Sequence, residues 1–135
     1  MIVYNDIAEP RTKPVVGSNI KKAILQQESL EKQVIVHGSY KSGAYVDGIR
    51  IWPTTFLCDQ QSAHKSKLIY IEGVSTYPTW TFLSPGEQIN FLLVFSGLPK
   101  DCKLFDLKEI ITEPDGFEIK NIRRNTTDVY QVNFL

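Results

Sequence analysis

Between residues 48 and 122, apolar residues recur at every second position and turn-forming residues interrupt them at short intervals. A period of two is that of a strand with one face in a core. The pattern predicts strands over residues 49–51, 54–58, 68–71, 89–95, 105–108 and 117–120, preceded by a strand over 34–37.

The segment 89–95 is the clearest of these strands. Its odd positions, from Ile89 to Phe95, are all apolar, and Leu92 and Val94 make the other face apolar too. A strand that is apolar on both faces is expected at the centre of a well-covered sheet. The residues before it, Pro85 and Gly86, suit the two central positions of a type II turn, because Pro fixes φ and Gly accepts a positive φ.

About seven strands are therefore expected between residues 20 and 122, joined by short turns without crossover helices. This order excludes a doubly wound α/β fold. It favours an all-β fold, a two-sheet antiparallel immunoglobulin-like sandwich of about seven to nine strands, with a closed barrel as the main alternative.

The ends of the chain give weaker patterns. Residues 1–18 are expected to form an extended arm, residues 19–124 the β-sandwich domain, and residues 125–135 a tail or an added edge strand that could pair with a neighbouring chain. Residues 20–30 fit either a helical stripe, with Ser18 as its N-cap, or an opening strand, and the strands downstream favour the strand.

The order of features also resembles a known class of domain. A Thr-Thr-Phe-Leu strand, a polar loop, a Leu-Ile-Tyr-Ile strand, a Ser-Pro-Gly-Glu turn, a Phe-Leu-Leu-Val-Phe strand and a Gly-Leu-Pro turn follow one another. This looks like the small Ig-like, telokin-like sandwich domains of many uncharacterised bacterial proteins, over about residues 20–122. The resemblance implies a sandwich fold and transfers no catalytic residues. The sequence departs from these domains because no secretion or lipoprotein signal is visible in it, which argues against an extracellular role.

Composition narrows the classes of partner. Fifteen basic residues balance fifteen acidic ones in 135 residues, so no long-range field attracts nucleic acid or anionic lipid. The basic residues Lys120, Arg123 and Arg124 are interpreted as a solvated edge that discourages aggregation. No signal peptide or membrane span is visible, so an intracellular chain or part of an assembled particle is expected. Cys58 and Cys102 are expected to be reduced thiols, although a sandwich would also allow a bridge between them.

No constellation predicts catalysis. The stretch 38–43 has the glycine spacing of a phosphate-binding loop, but Ala44 and Tyr45 replace the required Lys and Ser/Thr, so a Gly/Ser loop is expected. His37, His64 and the two cysteines lack the spacing of a metal site. Glu109 is expected to face the core or its margin. We predict no enzyme activity, no cofactor and no bound metal.

The aromatic residues are the best candidates for binding. Trp52, Tyr77 and Trp80 could form a platform for a sugar or a peptide, although the alternative, that the two tryptophans cap the core, is favoured. The first functional hypothesis is a non-enzymatic interaction or structural protein, a small subunit of a larger assembly such as a virion or other multi-subunit particle, which binds protein partners or itself through its terminal arms. The second is a ligand-binding module, with carbohydrate as its ligand.

Overall fold

The computed structural model describes residues 32–114 and 116–134. All regular elements of these residues are strands, which confirms the prediction of an all-β fold. The predicted arm over residues 1–18 and the ambiguous segment 20–30 lie outside the described residues. The strands are β1 (Val34–Lys41), β2 (Asp47–Ile49), β3 (Thr55–Asp59), β4 (Lys65–Glu72), β5 (Thr81–Leu83), β6 (Gln88–Phe95), β7 (Leu104–Glu109), β8 (Glu118–Arg123) and β9 (Val129–Phe134).

Seven strands form one sheet in the order β8-β7-β3-β4-β6-β1-β9, and β2 and β5 form a small two-stranded sheet. The pairs are antiparallel except for β1 and β9, which run parallel. The expected purely antiparallel arrangement is therefore wrong at this edge. The reason is the path of the chain. After β8, at one edge of the sheet, the chain crosses to the opposite edge. It starts β9 beside the first residues of β1, so the two strands run in the same direction.

Strand β4 joins the two halves of the large sheet. Its first residues, up to Lys67, pair with β3, and the residues from Leu68 onward pair with β6. The register with β6 shifts between Leu68 and Tyr70. One strand thus serves both halves, and the hydrogen-bonded sheet is continuous through it.

The large sheet must curl, because its two edge strands are neighbours in sequence. In a flat sheet of seven strands, the outer strands would lie about 29 Å apart. The chain from Arg123 to Val129 reaches at most about 22 Å. Across the interior, the rings of Phe105 in β7 and Tyr130 in β9 meet edge to face, with centroids 5.1 Å apart and an interplanar angle of 81°. The two ends of the sheet therefore face each other over a common core.

Strand β6 lies between β4 and β1, as the pattern predicted for a strand that is apolar on both faces. Phe91, Leu93 and Phe95 are buried, while Leu92 and Val94 are half-buried. The turn before it is also confirmed, since Gly86 has φ of 74° and the Glu87 amide donates to the Ser84 carbonyl at 3.0 Å. The buried core includes Val34, Val36, Ile51, Leu57, Phe91, Leu93, Phe95, Leu98, Cys102, Phe105, Leu107, Tyr130, Val132 and Phe134.

Strand β1 continues to Lys41, so the expected Gly/Ser loop over residues 38–43 is wrong for its first four residues. Gly38 faces the core. A Cβ there would lie 2.4 Å from the ring of Phe91 and 2.8 Å from that of Phe134. Glycine is required at this position because two aromatic rings cover it. From the sequence alone, the glycines and serines of this stretch indicated a loop, because the rings that pack on Gly38 come from residues far along the chain.

Arg124 links the β8–β9 connection to the turn before β7 through hydrogen bonds. Its guanidinium donates to both carboxylate oxygens of Asp128, with Nε–Oδ1 at 2.6 Å and Nη2–Oδ2 at 3.0 Å. It also donates to the carbonyls of Pro99, at 2.7 Å, and Cys102, at 3.2 Å. The Asp128 side chain is only 5% exposed. Arg124 is therefore not part of a solvated edge, in contrast to the interpretation of the basic residues as a group.

Asp128 in turn contacts the edge strand β9 and its neighbour β1. Its Oδ1 accepts from the Tyr130 hydroxyl at 3.0 Å, and its backbone carbonyl accepts from the Ile35 amide at 2.9 Å. Its φ of 56° is left-handed, a conformation that Asp tolerates better than most residues. Burial raises the pKa of Tyr130 to about 12, so its hydroxyl keeps its proton at neutral pH and remains a donor.

Both cysteines are free thiols. Cys102 is 3% exposed, and burial raises the pKa of its thiol to about 11. It is therefore a protonated core residue at neutral pH rather than a reactive thiolate. The described part of the chain contains no helix of the length and apolar character that a membrane span requires.

We predict that Arg124→Leu lowers the free energy of unfolding by about 3 kcal/mol, because it leaves the buried Asp128 carboxylate without its counter-charge. The matched control is Arg123→Leu, which removes an exposed arginine one residue earlier and is expected to change stability by less than about 0.5 kcal/mol. Urea denaturation at neutral pH measures both. Equal losses in the two variants would contradict the role assigned to Arg124.

Candidate functional site

A cleft of about 530 Å³ lies between the small β2–β5 sheet and the segment that follows β7. A volume of this size is typical of sites for small ligands. We call it the aromatic cleft. Its walls are formed by Tyr40, Asp47, Gly48, Ile49, Arg50, Trp52, Trp80, Glu109, Ile111, Glu113, Phe117 and Phe134.

Arg50 is the centre of the aromatic cluster. Its guanidinium carbon lies 3.8 Å from the ring centroid of Trp80, 4.6 Å from that of Tyr77 and 5.4 Å from that of Trp52. A guanidinium this close to a ring face is attracted by the ring quadrupole. Arg50 also donates to the Pro78 carbonyl at 3.2 Å. The three aromatic residues proposed from the sequence are thus brought together around one cation.

The rings differ in their surroundings. Trp52 and Tyr77 stack on each other with centroids 3.7 Å apart, and Trp52 is half-buried. Tyr77 and Trp80 are 42% and 45% exposed. Trp80 therefore does not cap the core, as the favoured interpretation had it, because Arg50 and solvent cover its ring instead. Tyr77 and Trp80 thus keep part of their ring surface accessible to a ligand or a partner.

Glu109 places a carboxyl group in the cleft wall. It ends β7, is 8% exposed, and its Oε2 accepts from the backbone amide of Trp52 at 3.2 Å. Burial raises its pKa above the ordinary value, and this effect is opposed by the backbone amides of Trp52 and Phe117 and by the nearby Arg50 charge. The prediction that Glu109 faces the core or its margin is confirmed.

Asp47 supplies a second carboxylate. It accepts a short hydrogen bond from the Tyr40 hydroxyl, and its Oδ1 accepts from the Gly48 amide at 2.8 Å. The hydrogen bond to Asp47 is the main cause that raises the pKa of Tyr40. Asp47 is thus held in place by two donors, and Tyr40 keeps its proton at neutral pH.

Together these groups bring hydrogen-bond acceptors, a cationic donor and aromatic rings to one cleft. Carboxylate oxygens accept from hydroxyl or amine groups, Arg50 donates, and exposed ring surface can stack. Glu113, which is exposed, adds a third acidic group to the wall. Among residues 32–114 and 116–134, no group of three or more His, Cys, Asp and Glu side chains is placed to hold a metal ion.

Sequence reasoning identified the aromatic residues but missed Arg50 and Glu109 as members of the site. The signal for Glu109 was present, since it follows Phe105 and Leu107 at the inward positions of β7. A charged residue at an inward position needs partners, which here include the Trp52 amide. Arg50 gave no comparable signal, because its neighbours Tyr77 and Trp80 are distant in sequence.

In comparisons with known proteins, no family model, no curated protein and no solved structure matches the chain.

Burial raises the pKa of Glu109 in the folded state. As pH rises, the unfolded chain therefore loses this proton at a lower pH than the folded chain does. The free energy of unfolding falls between the pKa of the unfolded state and that of the folded state. We predict that Glu109→Gln, which keeps an acceptor for the Trp52 amide, is more stable than the wild type at about pH 7. The difference should vanish below about pH 4, where the carboxyl is protonated in both states.

Denaturation at both pH values measures this difference. Glu113→Gln, which changes an exposed carboxyl in the same cleft, is the control and should be neutral within about 0.5 kcal/mol. A gain for Glu109→Gln that persists unchanged in acid would show that ionisation is not its cause.

Proposed function

We propose that this chain is a non-enzymatic interaction protein, a small β-sandwich subunit that joins a larger assembly by binding a protein partner. One observation carries the proposal, an exposed set of large apolar side chains on and beside the small sheet. We call this set the aromatic surface. Its members and their exposures are Tyr45 (85%), Val46 (71%), Phe82 (71%), Trp80 (45%) and Tyr77 (42%).

The period of two in the small sheet explains why several of these side chains share a face. Gly48 pairs with Phe82 across the sheet, and a Cβ at Gly48 would lie 3.2 Å from the Trp80 ring and 3.5 Å from the Phe82 ring. Val46, which immediately precedes β2, is also exposed. The opposite face, with Leu83 at 1% exposure, packs inward. The outer face is therefore apolar without a core to cover it.

The chemistry of this face suits a protein interface. Tyr, Trp and Arg are the residues that dominate binding energy at interfaces, and Arg50 lies beside Tyr77 and Trp80. Stacked rings and the Pro78 carbonyl hold Arg50 in place before a partner arrives, which reduces the entropy lost on binding. Contiguous exposed apolar patches mark interaction sites more often than scattered residues do.

The Ig-like sandwich remains our proposal for the architecture. It is supported by the buried faces of β1, β6 and β9, which pack toward those of β3 and β7 over one core. A sandwich of this size presents its loops and small sheet as rigid binding surfaces, an inference that rests on fold-level analogy. A structural subunit of a virion or other particle is one assembly in which such a domain would serve.

A second function, carbohydrate binding, is favoured by the aromatic cleft itself. Trp52, Tyr77 and Trp80 converge beside a cavity whose walls include Arg50 and carboxyl groups, a combination that can stack against a sugar ring and bond its hydroxyls.

To test the protein-partner proposal, the wild type and Trp80→Ser/Phe82→Ser are used to capture partners from the native source, and affinity for the purified partner is then measured by calorimetry. The double variant is expected to bind at least about 30-fold more weakly, because it removes two exposed aromatic anchors. The control, Tyr70→Ser, removes a tyrosine of similar exposure (52%) on β4 and should bind normally. Equal binding by all three proteins would refute the role of the aromatic surface.

To test the carbohydrate proposal, a glycan array is probed with the wild type and with Trp80→Ala. Binding by the wild type that falls by about tenfold or more in the variant is expected if a sugar stacks on this ring, since base or ring stacking contributes on the order of 1–3 kcal/mol. Absence of any glycan bound by the wild type would end this hypothesis and leave the protein-partner proposal untouched.

A further inference from the structure

The aromatic cleft carries an unbalanced charge. Of the described residues that line it, three are acidic and one is basic, which gives the wall a net charge of −2 when all four are ionised. The acidic residues are Asp47, Glu109 and Glu113, and the basic one is Arg50. The chain as a whole has a formal net charge of zero, so this excess is local to the cleft. A cavity lined by charge of one sign attracts a ligand of the opposite sign.

Arg50 does not neutralise these carboxylates by direct contact. Its guanidinium is held by the three aromatic rings and by the Pro78 carbonyl. Within residues 32–114 and 116–134, the ion pair with an N–O distance below 4.0 Å is that of Arg124 and Asp128. The described part of the chain therefore places no cation in contact with the three carboxylates of the cleft.

Glu109 feels this lack of a counter-charge most strongly, because it is only 8% exposed. Burial raises its pKa, and the nearby charge of Glu113 acts in the same direction. Both effects disfavour its ionised form, which the Trp52 amide stabilises through a hydrogen bond of 3.2 Å. A buried carboxylate without a counter-ion lowers stability, and charged groups of this kind concentrate at functional sites. A cation bound in the cleft would supply the missing counter-charge.

The rest of the wall indicates what kind of cation fits. Ile49, Ile111 and Phe117 form an apolar part of it beside the tryptophan rings. The volume of about 530 Å³ is far larger than a metal ion needs, and the described residues contain no group of three or more His, Cys, Asp and Glu side chains placed to hold one. Lysine and arginine side chains combine an apolar stem with a charged head. The cleft offers a complementary surface to each part.

We infer that the aromatic cleft binds a lysine or arginine side chain of the protein partner. The charged head lies among the carboxylates of Asp47, Glu109 and Glu113, and the methylene stem lies against the apolar part of the wall. This inference rests on the proposed function, because it gives the chemistry of the partner segment that enters the site. Charge complementarity of this kind fixes the orientation of the partner and disfavours acidic segments.

Tryptophan fluorescence can report binding in the cleft, since both tryptophans of the chain, Trp52 and Trp80, line it. The full chain is titrated with acetyl-Gly-Lys-Gly-amide and with the same peptide carrying arginine, norleucine or glutamate instead of lysine. The lysine and arginine peptides are expected to bind at least about tenfold more tightly than the norleucine peptide, which keeps the stem and lacks the charge. The glutamate peptide should bind most weakly, because its charge is repelled.

Two carboxyl variants locate the binding. Glu109→Gln/Glu113→Gln removes two charges and keeps the shape of both side chains, so it should weaken the lysine peptide by about tenfold and leave the norleucine peptide unchanged. Asp47→Asn, on a different strand, should weaken the lysine peptide by about fivefold. The matched control is Glu118→Gln, which neutralises an exposed carboxyl of β8 outside the cleft and should bind like the wild type.

Equal binding of the lysine and norleucine peptides would overturn the inference, and so would lysine binding that both carboxyl variants leave unchanged. It would also fail if no peptide bound to the wild type while Trp80→Ser/Phe82→Ser still lost the natural partner. In that case the proposed function would stand without it.

Discussion

The ion pair between Arg124 and Asp128 is the constraint on which the rest of the fold depends. The two residues lie in the short connection between β8 and β9, which are the opposite edges of a seven-stranded sheet. The connection is too short to cross a flat sheet, so the sheet curls and its ends meet. One bidentate ion pair, with Asp128 almost fully buried, fixes the geometry at the point of closure. Arg124 also donates to the carbonyls of Pro99 and Cys102, so one side chain links the β8–β9 connection to the turn before β7.

Closure also shapes the aromatic cleft. Phe134 ends β9, and its ring meets that of Phe117 edge to face with centroids 4.9 Å apart. Both rings line the cleft, so its floor exists only because β9 has been brought back over the sheet. Gly38, on β1, provides the space in which Phe134 and Phe91 lie. The position of the binding site is thus a consequence of how the core is packed.

The cleft and the aromatic surface are electrostatically coupled through Arg50. It contacts the rings of Trp52, Tyr77 and Trp80, while its charge favours the ionised form of Glu109 against the effect of burial. The Trp52 amide, bonded to Glu109, connects the same carboxyl to the ring that stacks on Tyr77. A partner or ligand that displaces Arg50 from the rings would therefore also change the environment of Glu109.

By itself, the sequence determined the strands and their class. The period of two predicted β3, β6, β7 and β8 within a few residues, and proline followed by glycine predicted the turn before β6, because both signals are local. Pairing order, the parallel β1–β9 edge and the length of β1 were decided only by tertiary structure, since they depend on residues far apart in the chain. The same holds for the site. Trp52, Tyr77 and Trp80 could be named as aromatic candidates, but only packing brought Arg50 between them and Glu109 beside them. Arg124 shows the same limit, because its sequence neighbours suggest a solvated charge and only the closure of the sheet gives it a buried partner.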